Sequence, residues 1–199
     1  MSNANTRVVV VTGLMRSGTS CLMQCLQSAG IECLGNAPGY EDKRTVDEGM
    51  LPTELMLDAQ GRAVKVLEPH CRFLPSGFEY VVISTERDKM QQAKSYFKML
   101  KKMGETTKMS NKKAIRRLRD MIHSHQKQAD SVLRTMKVLH FRVKFEDLIG
   151  YPRKTLEPIA EALGLDADLM ASPIIERPVE CLNGLIELDL IQGNAPTPR

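Results

Sequence analysis

No apolar run in the 199-residue chain approaches the roughly 18 residues that a membrane-spanning helix needs, which excludes such a span. The leading residues, Met1 to Thr6, are polar and carry no apolar signal-peptide region, so the expected location is the cytoplasm. Cysteine is sparse: Cys21, Cys25, Cys33, Cys71 and Cys181 form an odd set without C-x-x-C spacing or the density of a disulfide scaffold, and reduced thiols are expected. Charge of one sign is barely in excess, with 28 Lys and Arg against 24 Asp and Glu, which does not by itself mark a nucleic-acid binder. Aromatics make up only 5% and tryptophan is absent. Even the basic stretch from Lys94 to Lys127 holds a single aromatic pair, Tyr96 and Phe97, so the stacking platforms of single-strand binders are lacking and no nucleic-acid partner is expected.

Histidine is also scarce. His123 and His125 lie two apart on a predicted helix and diverge by roughly 200°, so they do not converge on a metal. His125 falls on an apolar stripe and reads as a satisfied core histidine, and His140 lies in a strand near no obvious ligand partner. No metal site is expected.

What remains is ordinary globular composition, 42% hydrophobic and 26% charged, in a length that suits one domain over residues 1–199. Arg7 to Thr12 reads as a strand buried on both faces, and Leu22, Cys25, Leu26 and Ala29 mark a helix that Gly30 stops. Ile31 to Gln60 has weak periodicity, with a loop-like first half and a helix from about Pro52 to Ala59. Ala63 to Leu67 and Tyr80 to Ser84 are further strands, and Lys89 to about Lys102 an amphipathic helix. After a polar loop at Gly104 to Asn111, the positions Ile115, Leu118, Ile122, His125, Ala129, Val132 and Met136 predict one long helix. Val138 to Val143 is a fourth strand, followed by a helical stretch to Leu165 that Pro158 should kink or divide. Residues 171–199, with Pro173, Pro178, Pro196 and Pro198, should be an irregular tail. Alternating strands and helices imply an α/β fold: a three-layer, P-loop-like domain with a central, mainly parallel sheet flanked by helices and ligands at the carboxyl ends of the strands.

The stretch "VVVVTGLMRSGTS" runs a strand into a glycine loop and a helix N-terminus, where backbone N–H groups and the helix dipole favour an anion. Gly13 and Gly18 allow the curl, Ser17 lies within it, and the Thr19 and Ser20 hydroxyls add donors. The nucleotide-triphosphate pattern G-x-x-x-x-G-K-[ST] is not met, because Thr19 stands where its lysine would be, and the loop's cation is Arg16. For an ATPase or GTPase that departure is serious.

Arg16-Ser17-Gly18-Thr19-Ser20 resembles the [RK]-S-G-T-[ST] loop of the sulfotransferase superfamily, whose members use 3'-phosphoadenosine 5'-phosphosulfate (PAPS). A second likeness is Arg87 after a strand with Ser95 eight residues on, and a third is "VKFEDLIGYPRKTLEPIAEALGL", with Phe145 in place of the usual tyrosine. Together they span roughly residues 7 to 103 and 138 to 165. The resemblance implies that Gly18, Thr19 and Ser20 cradle the 5'-phosphosulfate, that Arg16 steadies charge on the leaving group, and that Arg87 and Ser95 contact the 3'-phosphate of PAPS or of the product 3'-phosphoadenosine 5'-phosphate (PAP). The R-K-G clamp of many members has no counterpart in "RPVECLNGLIELDLIQGNAP". Either the tail contacts the nucleotide differently or the pocket is incomplete.

Sulfuryl transfer to a hydroxyl or amine needs a base for the acceptor's proton. One branch of the family uses a histidine, which would be His70 in "KVLEPHCRFLP". Another uses a glutamate about twenty residues beyond the loop, which would be Glu41 in "APGYEDKRT", and Glu41 is preferred because the opening loop and Gly39-Tyr40-Glu41-Asp42 both resemble that branch. The acceptor implied is a small molecule or glycan, an anionic one if the basic stretch borders the site mouth; otherwise that stretch is a solvated helix face. Two rivals stay open: a nucleotide-dependent kinase with an altered loop, and a non-catalytic nucleotide-binding protein.

Overall fold

A computed structural model describes residues 6–105 and 109–176. In chain order the elements are β1 (Val8–Gly13), α1 (Thr19–Ser28), a 3-10 turn (Lys43–Thr45), β2 (Gly49–Met50), α2 (Thr53–Asp58), β3 (Ala63–Leu67), β4 (Arg72–Phe73), β5 (Tyr80–Glu86), α3 (Lys89–Lys102), α4 (Asn111–Thr135), β6 (Leu139–Lys144), α5 (Phe145–Gly150), α6 (Pro152–Leu163) and α7 (Ala167–Ile175). Cys181 and the whole stretch RPVECLNGLIELDLIQGNAP, the centre of the polar loop at 106–108 and the tail from 177 onward lie outside the described residues.

The valine run of β1 is buried along its whole length because it lies inside a sheet of order β3-β1-β5-β6 whose pairings are all parallel. Val10 sits between Val64 and Val82, and Gly13 between Leu67 and Thr85. Alternate residues serve opposite layers. Val9, Val11, Val81, Ile83 and Val143 share a cluster with Leu22 and Leu26 of α1, Ile159 of α6 and Met170 of α7. Val8, Val10, Val64, Val66 and Val82 pack with Leu55 and Met56 of α2 and Leu133 of α4. A leucine wholly buried in this way contributes about 1.5–3 kcal/mol, so the two faces of the valine strands hold both helical layers in place. A third cluster, Leu14, Ala93, Ile122 and Ala129, locks α3 and α4 together and anchors the loop after β1. No helix among the described residues is long and apolar enough to cross a membrane.

Two expectations require correction. Pro158 does not divide its helix: α6 runs unbroken from Pro152 to Leu163. The carbonyl that Pro158 leaves without a donor belongs to Lys154; both residues are exposed, so water can serve it, while Leu156, Ile159 and Ala160 hold the inner face. The irregular tail likewise does not begin at Ala171, because α7 continues to Ile175 through Pro173. Asp166 caps its first turn by accepting from the N–H groups of Asp168 and Leu169. The carbonyl of Leu169, which Pro173 cannot serve, accepts instead from the Ser172 hydroxyl at 3.0 Å. The loop-like segment before α2 also contains the 3-10 turn and β2, which pairs in parallel with β4.

Candidate active site

The loop from Gly13 to Gly18 stands at the carboxyl end of β1. A Cβ at Gly13 would lie 2.5 Å from the Thr85 hydroxyl oxygen, and one at Gly18, where φ is 108°, would lie 2.4 Å from Cδ2 of Phe145. Glycine is therefore required by space as well as by backbone. Between them Arg16 adopts φ 68°, uncommon for a residue with a side chain. Helix α1 starts at Thr19 without a side-chain cap, leaving its positive end open to the cavity.

Ser17 turns away from that cavity. Its hydroxyl lies 2.7 Å from that of Thr85 and its N–H donates to the Leu14 carbonyl, so it braces the loop from behind. The Met15 carbonyl accepts from Gln92 Nε2 at 2.8 Å, and the Arg16 carbonyl from Arg87 Nη1 at 3.5 Å. Ser95 is buried, and its hydroxyl accepts from Arg16 Nε at 3.0 Å. Arg87 precedes Asp88, the residue that caps α3, and its guanidinium lies 4.6 Å from the centre of the Phe145 ring. Phe145 thus packs against Gly18 and lies under Arg87.

These residues border a cavity of about 710 Å³. Of the residues expected to act, Arg16, Gly18, Thr19, Ser20, Glu41 and Arg87 line it; Gly13, Ser17, His70 and Ser95 do not. Glu41 lies beside Lys65 of β3, with its side chain 66% exposed. Buried Tyr40 sets its position, donating its hydroxyl to Gln27 Oε1 at 2.6 Å. The neighbouring Asp42 caps the 3-10 turn and is gripped by the Arg44 guanidinium, which holds its carboxyl below the usual range. It is a structural acid.

Lys65 belongs to the site although no motif marks it. Its side chain is 2% exposed, and its ammonium donates to Glu41 Oε1 at 3.1 Å, to Ser20 Oγ at 3.2 Å and to the Gly39 carbonyl. A lysine between Val64 and Val66 in a buried strand was the available signal, since such a charge demands partners. Glu68 takes the left-handed φ of 55°, lines the cavity, and accepts the Met15 N–H on Oε1 at 2.8 Å.

His125 is not a core histidine. It is partly exposed and meets the turn after β3, where its ring centre lies 4.7 Å from that of His70. His70 is buried behind the wall, and burial lowers its pKa. His140 Nε2 lies 2.7 Å from the Ser84 hydroxyl. In the basic stretch, Lys112, Lys113, Arg116 and Arg117 are exposed as a solvated face would be, whereas Lys94 is buried.

No family model matches the sequence, and no curated protein matches it. Solved structures do resemble the fold. A retinol dehydratase in complex with retinol and PAP shares 17% identity at a TM-score of 0.56, over 94% of this chain and 69% of that one. The sulfotransferase domain of the Synechococcus PCC 7002 olefin synthase shares 14% identity at a TM-score of 0.48, over 97% and 90% of the two chains. The sulfotransferase domain from the curacin biosynthetic pathway shares 13% at 0.48, over 80% and 74%. The α/β chain described here, with its parallel β3-β1-β5-β6 sheet, shares the fold of that retinol dehydratase.

Proposed function

We propose that the protein transfers a sulfuryl group from PAPS to a hydroxyl or amine of a small molecule or glycan, acting as one domain in the cytoplasm. The observation that carries this reading is the convergence on one cavity of an uncapped helix N-terminus, two arginines, and a carboxylate paired with a buried ammonium. The retinol dehydratase of the same fold was solved with PAP, which supports the choice of nucleotide.

The donor set fits a doubly phosphorylated adenosine. Gly18 lets the Phe145 ring close against the loop, beside the open end of α1. Arg16 and Arg87 supply two cations, and Ser95 aligns the first of them. When bound, PAPS supplies the sulfuryl group on a phosphate leaving group.

The chain's own residues divide the remaining work. The Thr19 and Ser20 hydroxyls and the first turn of α1 hold the anion, and Arg16 steadies charge developing beside the loop. Glu41 takes the proton of the acceptor at its carboxylate, which Lys65 orients from below. A cavity of about 710 Å³ suits an acceptor of small-molecule size or the end of a glycan.

Release of PAP from PAPS, followed across panels of hydroxyl and amine acceptors, tests the assignment. Glu41→Gln should lower turnover by about 10²–10⁴-fold while leaving PAP affinity in place. Loss of turnover in His70→Asn but not in Glu41→Gln would move the base to His70. Turnover with ATP and magnesium in place of PAPS would contradict the reading.

A further inference from the structure

We propose that Glu68, His70 and His125 form a zinc site behind the loop that follows β1. The inference does not depend on the nucleotide reading. Two chain segments supply the three ligand atoms: the turn after β3, closed by the Cys71 N–H on the Glu68 carbonyl, carries Glu68 and His70, and α4 carries His125. One ligand atom from each of Glu68, His70 and His125 lies within 4.8 Å of the other two. From Glu68 Oε2, His70 Nδ1 and His125 Nδ1 are 3.7 Å and 3.9 Å away.

Those separations are too long for hydrogen bonds. They are close to what a shared ion requires: zinc bonds of 2.0–2.1 Å in a tetrahedron put ligand atoms about 3.4 Å apart. The two Glu68 edges are within about half an ångström of that spacing, and closure of the imidazoles, now within 4.8 Å of each other, completes the set. Two imidazole nitrogens and one carboxylate oxygen suit zinc, whereas calcium and magnesium take oxygen ligands. A fourth position is left for water.

A second observation points to the same spot. The His70 side chain is 6% exposed, and its Nδ1 is buried with no hydrogen-bond partner among the described residues. Buried polar atoms are normally satisfied, so an orphan nitrogen facing a carboxylate oxygen and a second imidazole nitrogen has the geometry of a ligand awaiting its ion. Glu68 can serve two roles, because Oε1 already accepts from Met15 and Oε2 is the atom nearest both imidazoles. An ion there would tie the end of β3 to the middle of α4 and fix the carboxylate that holds the loop.

The full chain, stripped with chelator, is titrated with zinc chloride by calorimetry and with cobalt(II) by visible absorption. Saturable one-to-one binding is expected, with tetrahedral cobalt bands and no thiolate-to-cobalt charge transfer, since no cysteine belongs to the set. His125→Ala should weaken zinc by about 100-fold or more, beyond the loss seen when only a supporting residue is removed. His123→Ala, exposed on the same helix, should bind as the wild type does. Zinc should raise the Tm of the wild type and of His123→Ala but not of His125→Ala. If His125→Ala does not fold, His125→Gln replaces it in the same comparison. Absence of stoichiometric binding to the wild type, a thiolate signature, or undiminished affinity in the folded His125 variant would overturn the proposal.

Discussion

The guanidinium of Arg87 lies 4.6 Å over the ring of Phe145, and that same ring occupies the space a side chain at Gly18 would need. One aromatic residue at the start of α5 therefore sets the shape of the loop after β1 and the position of the cation that leads into α3. Where the family resemblance has a tyrosine, this chain keeps the ring and dispenses with the hydroxyl.

Gly18→Ala should destabilise the fold by about 1–3 kcal/mol from backbone strain alone, because φ is 108° there. The 2.4 Å approach to Phe145 adds a steric loss. Phe145→Ala removes that contact, so the double variant should be less destabilised than the sum of the two single changes by about 1 kcal/mol or more. Urea unfolding of the four proteins measures the cycle. Strict additivity would show that the ring does not bear on the loop.

Lys65→Met should cost about 1–3 kcal/mol, since the Gly39 carbonyl and the Ser20 hydroxyl lose a buried donor. Turnover should fall further than stability explains, because Glu41 loses the group that orients it. Lys65→Arg should not rescue either property, as the longer planar head does not fit a side chain already 2% exposed. Thermal unfolding and PAP release, measured on the same samples, separate the two effects.

Stability should fall on mild acidification, and part of the fall belongs to His140. Burial holds its pKa below the ordinary 6.5, with Arg142 pushing the same way and Asp130 opposing them. The unfolded chain therefore binds more protons as pH drops through 6.5, so the stability present above that value is progressively lost until the folded-state pKa is passed. His70, also lowered by burial, adds a loss of the same sign. His140→Asn should flatten the slope of unfolding free energy between about pH 7 and pH 5, measured in chelator. An unchanged slope would show that His140 is not the sensor.

Much of this architecture was legible in advance because it rests on local period and punctuation. The buried valines of β1, the Lys89–Lys102 helix and the three- and four-residue steps from Ile115 to Met136 each carry their pattern within one element. The errors arose where a proline's local penalty was met by something the pattern does not display. Water can reach Lys154, and the Ser172 hydroxyl serves Leu169. The candidate site divides along the same line. The loop glycines and Arg16 are contiguous and could be found, but Lys65 meets Glu41 across 24 residues and His125 meets Glu68 across the sheet edge. Such pairs follow from strand order, which no single stretch encodes.

The central claim is that the loop after β1 and the arginine after β5 grip opposite ends of one doubly phosphorylated adenosine. Calorimetric titration with PAP against ADP, repeated on Arg87→Ala and Ser95→Ala, tests it most directly. The account predicts a clear preference for PAP in the wild type that both substitutions reduce. Equal affinity for the two nucleotides, or a preference untouched by the loss of Arg87, would contradict it.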